Sequence, residues 1–237
     1  MLLRMKDRYD VGDVDIAPTT HSFSTVINAW SKSGHPKAGI HAENLIEMMI
    51  KLHEQGLHGV APNTVTFSSG INAWSRSKQS NAGRRASAML QRMGDLDDEG
   101  YIDIKPNIYS YTSAIEAWVN SGDSNLLNEA YAIFNTLMKC YKEGDEHSKP
   151  TPQTFNAMFR AISQSPLDKV KHVKAEKLLN QMKQIDGIKP NIATYNTVSF
   201  ACECQVIRMH LIDRYLTSPP PYLPSISTPV HPQKEIV

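Results

Sequence analysis

One sequence pattern recurs five times along the chain, and this repetition limits the possible folds more than any other feature. In its clearest copy, Pro62 opens the segment PNTVTFSSGINAWSRS. The five copies begin at Pro18, Pro62, Pro106, Pro150 and Pro190, which are 44, 44, 44 and 40 residues apart. A fixed period of this size indicates stacked copies of one supersecondary unit, because a single copy cannot bury its own apolar face.

Each complete unit carries the pattern of two helices, whereas the unit that opens at Pro190 has no second-helix signature. The first helix begins directly after the proline, at residues that favour helix N-caps: Thr19, Asn63, Asn107, Thr151 and Asn191. In the second unit, Phe67, Ile71 and Trp74 then follow at the i, i+4, i+7 spacing of one helix face. The second helices carry small residues at equivalent positions, namely Ala42, Ala86, Ala130 and Ala175. We interpret Trp30, Trp74 and Trp118 as core residues that fill the space between helix pairs.

The predicted fold class is all-α, with antiparallel helix pairs stacked along one axis. The helices are predicted at 20–33, 37–55, 64–77, 80–96, 108–121, 125–143, 152–164, 168–185 and 192–215. Residues 1–17 match the second half of a preceding repeat, since MLLRM at the start resembles MLQRM at 89–93. Residues 18–205 form the repeat array and 206–217 an imperfect capping helix, whereas the proline-rich 218–237 is expected to be a disordered tail.

Composition excludes few functional classes. The chain has 237 residues, of which 41% are hydrophobic and 21% charged, as in ordinary globular proteins. No apolar run approaches the roughly 18 residues that a membrane-spanning helix needs, so no membrane is expected as a partner. The net charge of +1 neither supports nor excludes nucleic-acid binding. Three cysteines without a paired framework indicate a reducing compartment.

Residues with catalytic or metal-binding potential do not form a recognisable site. Cys202 and Cys204 make a C-x-C without a second ligand pair, and the nine histidines are scattered, with His41 expected to be a packed or solvated helix residue. The acidic run Asp95, Asp97, Asp98 and Glu99 is interpreted as a solvated loop. No phosphate-binding glycine loop or nucleophile elbow occurs. We therefore predict no catalytic residue, no metal, no cofactor and no enzymatic activity.

The repeats resemble the pentatricopeptide repeat family. The resemblance rests on the Pro-Asn opening, the following Thr-Tyr-Asn or Thr-Phe-Ser, the Ile-x-Ala core and the Ala and Met of the second helix. It covers Met1 to about Cys204, although these units are longer than the family's usual repeat. The resemblance implies a right-handed helical solenoid, single-stranded RNA in its concave groove, and residence in the mitochondrion or plastid.

The family's recognition rule assigns candidate base-reading pairs. It combines the residue six after each proline with the residue one after the next proline, which pairs Ser24 with Asn63, Ser68 with Asn107, Thr112 with Thr151, and Asn156 with Asn191. Ser-Asn pairs resemble adenine readers, Asn-Asn resembles a pyrimidine reader, and Thr-Thr has no assignment. The implied word is 5′-adenine, adenine, unassigned, pyrimidine-3′. Simple capping explains asparagine or threonine after proline equally well.

The resemblance also implies residues that support bases and phosphates. Bases would stack on side chains three residues after each proline, for which Val65 and Tyr109 fit well, His21 and Gln153 less well, and Ala193 poorly. Phosphates would meet basic residues fourteen after the proline, which are Lys32 and Arg76, followed by Asn120 and Gln164. The N-terminal half should therefore carry more of the electrostatic affinity. A cation near a helix C-terminus is also favoured without RNA.

Two other functional classes remain open. The array would also suit the RNA-binding arm of a larger enzyme, such as a protein-only ribonuclease P, but no aspartate cluster of a nuclease follows Asp213. Alternatively, paired helices would hold a protein partner in their groove. The expected partner is single-stranded RNA, bound by a monomer, with protein partners as an open alternative.

Overall fold

The computed structural model describes residues 4, 5, 8, 11, 12, 17–101, 103–165 and 170–202. Within these residues there are nine α-helices of the repeat array and no strand. The helices are α1 Thr20–Ser33, α2 Ala38–Glu54, α3 Thr64–Ser77, α4 Ala82–Asp98, α5 Ile108–Ser121, α6 Leu126–Lys142, α7 Pro152–Gln164, α8 Lys171–Gln184 and α9 Ile192–Cys202. Odd-numbered helices are the first helices of the units and even-numbered helices are the second. The all-α prediction is confirmed.

Side-chain caps determine where the first helices begin. Asn63 Oδ1 accepts from the Thr66 backbone N–H at 3.0 Å, while Thr66 Oγ1 accepts from the Asn63 backbone N–H at 2.8 Å. This reciprocal pair is a capping box, which satisfies two N–H groups that the helix leaves unpaired. Capping boxes also begin the other first helices from α1 to α7, at Thr19, Asn107 and Thr151. Asn191 caps α9 through a 2.9 Å bond from the Thr194 backbone N–H.

The first helices form the inner layer of the array. Each packs against the first helices of the neighbouring units and against the flanking second helices. Successive second helices make no comparably extensive contact in the part of the chain that the structure describes. The first helices therefore pack as one layer in the described part of the array. The alanines Ala42, Ala86, Ala130 and Ala175 are completely buried where helices approach closely.

Two tryptophans make the joints between units. Trp74 on α3 packs over Gly39 on α2, and its indole Nε1 donates to Glu43 Oε2 at 3.0 Å. Trp118 on α5 packs over Gly83 on α4 in the same way. Both indoles are buried, so the prediction that these two residues fill the space between helix pairs is confirmed.

Trp30 occupies a different environment at the start of the array. It is half-buried and stacks on His41, with ring centroids 4.3 Å apart. The half repeat that was predicted at residues 1–17 lies mostly outside the described residues. His41 is therefore a packed helix residue, one of the two roles expected for it.

The predicted end of one second helix differs from the structure. The acidic residues Asp95, Asp97 and Asp98 are not in a loop but in the last turn of α4, which continues two residues beyond its predicted end. No helix in the described part of the chain has both the length and the apolar character needed to cross a membrane. The capping helix at 206–217, the tail at 218–237 and Cys204 lie outside the described residues.

Candidate functional site

A groove runs across the layer of first helices, where those of the second, third and fourth units meet. Its volume is about 460 Å³. The lining comes from exposed or half-buried residues of α3 and α5 and from the start of α7, with Asn28 and Ser31 contributed by α1. Six of the predicted site residues lie together here: Val65, Ser68, Asn107, Tyr109, Thr112 and Thr151.

Two exposed side chains form the apolar walls of the groove. Val65 is 61% exposed and Tyr109 is 71% exposed, so both apolar side chains are open to a ligand. They occupy equivalent positions in α3 and α5, each three residues after its proline. A flat or branched apolar surface held open on a groove wall is suited to stacking against a planar ligand.

Ser68 and Asn107 have hydrogen-bonding atoms that the protein does not use. Ser68 Oγ is shielded from solvent and has no partner among the described residues. Asn107 Oδ1 caps α5 by accepting from the backbone N–H groups of Tyr109 at 3.0 Å and Ser110 at 3.1 Å. Its Nδ2 makes no hydrogen bond within the described chain. The cap therefore occupies the carbonyl oxygen of Asn107 and leaves the amino group available.

The next predicted pair has a different arrangement. Thr112 Oγ1 lies 2.8 Å from Thr154 Oγ1, and Thr151 Oγ1 lies 3.1 Å from the same atom. Thr154 is completely buried. Both predicted reading hydroxyls thus face an interior side chain that the sequence analysis did not single out.

The remaining predicted pairs lie outside this groove segment. Ser24 Oγ donates to the backbone oxygen of Thr20 at 2.7 Å, and its partner Asn63 caps α3. Asn156 Oδ1 is buried without a partner among the described residues, whereas Asn191 is exposed and caps α9. His21 and Lys32 are exposed on α1.

One charged side chain lines the groove and two others act on it from nearby. Arg76 is exposed near the end of α3, and Glu116 on α5 lines the groove itself. Burial raises the pKa of the Glu116 carboxyl, and the positive charges of Arg160 and Arg76 oppose that rise. Arg160 donates from Nη2 to Asn120 Oδ1 at 2.9 Å. Asn120, which stands where the family places a phosphate-binding cation, instead joins three first helices, because its Nδ2 donates to the Ser75 backbone oxygen at 3.0 Å.

Sequence reasoning missed Thr154, Glu116 and Arg160. The sequence did mark the position of Thr154, because Ser or Thr stands four residues after every one of the five prolines and closes the capping boxes. Glu116 and Arg160 share a position ten residues after the proline, where the first two units have Asn28 and Asn72. Polar residues at the same position of successive repeats indicate an exposed helix face. Which residues they meet across the groove is visible only in the structure.

A comparison with family models finds a match within this part of the chain. The model described as the pentatricopeptide repeat domain matches residues 96–165. This segment is similar to the pentatricopeptide repeat family. The pentatricopeptide match contains α5, α6 and α7, and with them Asn107, Tyr109, Thr112 and Thr151 of the groove. A search of curated proteins finds no match to the chain.

Proposed function

We propose that the protein binds single-stranded RNA in the groove between its first helices. The observation that carries this proposal is the pair of exposed side chains Val65 and Tyr109, which both line the groove. Ser68 and Asn107 line the same groove with polar atoms that have no partner among the described residues. Single-stranded RNA is recognised by splaying its bases onto such surfaces and bonding their edges, which a duplex does not permit. The pentatricopeptide repeats at 96–165 support the same ligand, because proteins of this family typically bind RNA.

The second reading pair supports recognition of adenine. The Watson–Crick edge of adenine presents an amino donor beside a ring-nitrogen acceptor. Ser68 Oγ has no partner among the residues that the structure describes and can accept from the amino group, while Asn107 Nδ2 can donate to the ring nitrogen. Bonding to Ser68 would also relieve part of the free-energy cost of a buried hydroxyl without a partner.

The other assignments complete a four-base word. Ser24 with Asn63 would read adenine before the second base, and Asn156 with Asn191 would read a pyrimidine at the end, with Thr112 and Thr151 at the third base. His21 would add support at the first base, and Lys32 and Arg76 would contact phosphates from the N-terminal half. These residues make the protein an RNA binder, acting as a monomer in mitochondrial or plastid RNA processing, stability or translation rather than as a catalyst.

Fluorescence anisotropy with labelled RNA would test the proposal at one fixed salt concentration. The probe is UUUUAANCUUUU, with all four bases mixed at N, offered as a single strand and as a duplex with its complement. We expect clear binding of the single strand and much weaker binding of the duplex. Replacing Val65 and Tyr109 together with alanine should weaken binding about fivefold or more, because stacking contributes about 1–3 kcal/mol per base.

Val173→Ala is the matched control. Val173 is 52% exposed on the second helix α8, so its truncation removes a similar side chain from outside the groove. This variant should bind RNA as the unaltered chain does. The proposal would be contradicted if single strand and duplex bound equally well. It would also be contradicted if the variant with both Val65 and Tyr109 replaced by alanine bound RNA fully.

A further inference from the structure

The third reading position lacks free hydroxyls of the kind found at the second. Thr112 Oγ1 and Thr151 Oγ1 both lie within hydrogen-bonding distance of the buried Thr154 hydroxyl, at 2.8 and 3.1 Å. The backbone N–H of Thr154 also donates to Thr151 Oγ1 at 3.4 Å. By contrast, Ser68 Oγ at the second position has no partner in the part of the chain that the structure describes. A base at the third position therefore needs another side chain for its recognition.

Glu116 is placed to supply that side chain. It lines the groove and follows Thr112 by four residues, so the two residues share one face of α5. Helical side chains lean toward the helix N-terminus, which directs the carboxylate of Glu116 over the turn that contains Thr112. Among the described residues that line the groove, Glu116 is the only carboxylate.

The carboxylate of Glu116 is not occupied by the protein. It has no hydrogen bond and no ion pair within the described residues, although the charges of Arg76 and Arg160 act on it from nearby. Arg160 is held by Asn120 Oδ1 at 2.9 Å, and Arg76 is exposed, where it can turn to a phosphate. A half-buried carboxylate with neighbouring cations that do not pair with it has both oxygens available to a ligand.

The chemistry of a carboxylate distinguishes the four bases. An ionised carboxylate only accepts hydrogen bonds, and it accepts two at once through its two oxygens. Guanine presents two adjacent donors on its Watson–Crick edge, the ring N1–H and the amino group at C2. Uracil places its single N–H between two carbonyl oxygens, which repel a carboxylate. Adenine and cytosine each present one amino donor beside an acceptor.

We infer that Glu116 reads the third base and selects guanine, so that the preferred word becomes 5′-adenine, adenine, guanine, pyrimidine-3′. The inference rests on the proposed function, because it assigns one base of the RNA that the groove would bind. It makes Glu116 a specificity-determining residue in a unit whose expected reading hydroxyls lie within hydrogen-bonding distance of the buried Thr154.

The test compares four RNA probes, UUUUAANCUUUU with N as each single base, by fluorescence anisotropy. The unaltered protein should bind the guanine probe about fivefold or more tightly than each of the others, as one well-formed bidentate contact does. Glu116→Gln exchanges one acceptor oxygen for an amino donor and should abolish this preference. Glu129→Gln, on the second helix of the same unit, removes the same charge outside the groove and should leave the preference unchanged.

The outcomes separate the inference from the proposed function. The inference is supported if Glu116→Gln alone loses the guanine preference. Its circular dichroism spectrum should be unchanged and its melting temperature no lower than that of the unaltered protein. Equal binding of all four probes by the unaltered protein, or a guanine preference that persists in Glu116→Gln, overturns it while RNA binding stands. No binding of any probe by the unaltered protein overturns the proposed function and the inference together.

Discussion

At the scale of single residues, capping and base reading use different atoms of the same asparagine. Asn107 caps α5 through Oδ1, and its Nδ2 has no partner in the described chain. Replacing Asn107 with Asp keeps an acceptor for the two backbone N–H groups and adds a negative charge that a helix N-terminus favours. The stability of the fold should therefore be retained. The preference for adenine at the second base should fall about fivefold or more, because a carboxylate has no donor for the ring nitrogen.

Measurement of Asn107→Asp needs both thermal melting and binding to probes that differ only at the second base. Thr19→Asp is its control, because Thr19 occupies the same capping position at α1 and belongs to none of the four reading pairs. That variant should leave the adenine preference unchanged. Should Asn107→Asp bind all second-base probes in the same ratios as before, Asn107 would be a helix cap and nothing more.

At the scale of helices, the joint between units depends on the absence of a side chain beneath each tryptophan. A Cβ on Gly83 would lie 2.4 Å from the nearest ring carbon of Trp118, and Trp118 is only 4% exposed. Gly83→Ala should therefore destabilise the fold by about 1–3 kcal/mol, as overpacking of a well-filled core does. A lower melting temperature, followed by circular dichroism, would show this effect.

The same helix offers the opposite substitution as a control. Gly94 also lies in α4, but nothing lies within 4 Å of a Cβ built there. Gly94→Ala should stabilise the fold by up to about 1 kcal/mol, because glycine costs that much relative to alanine inside a helix. Equal melting temperatures for the two variants would mean that the Trp118 joint does not determine the packing of α4 on α5.

The first helices were predicted more accurately than the second helices, because the sequence marks where they begin. The first helices α1, α3, α5 and α7 were predicted at their observed bounds, because proline and a capping side chain precede each of them. The second helices were placed up to three residues off. Their N-cap residues Lys37, Asn81, Asn125 and Val170 make no side-chain cap hydrogen bond, so the sequence has no comparable start signal.

At the scale of the whole molecule, repetition made part of the site predictable and concealed the rest. Val65 with Tyr109, and Ser68 with Thr112, stand at matching positions of consecutive units, so stacking the units brings them to one groove. The contact of Thr112 with Thr154 and the groove position of Glu116 depend on how two different units meet. A pattern that describes one unit holds no information about such contacts.

Charge is also distributed unevenly along the whole array. The chain has a net charge of only +1, so its overall field attracts RNA weakly and local contacts must supply the electrostatic affinity. Lys32 and Arg76 are the proposed phosphate contacts, and the corresponding position of the next unit is occupied by Asn120, which has a structural role. Electrostatic binding should therefore come mainly from the first two units.

The salt dependence of binding measures this distribution directly. Each phosphate neutralised on a single strand contributes about −0.7 to the slope of log affinity against log salt concentration. Arg76→Gln should reduce the size of that slope by about 0.7, and the double variant with Lys32→Gln should reduce it by about 1.4. Arg92→Gln is the matched control, since Arg92 lies on the second helix α4 and pairs with Glu99 at 3.4 Å. A slope that responds to Arg92→Gln but not to Arg76→Gln would place the RNA on the outer face, because counterions are released only where a cation meets a phosphate.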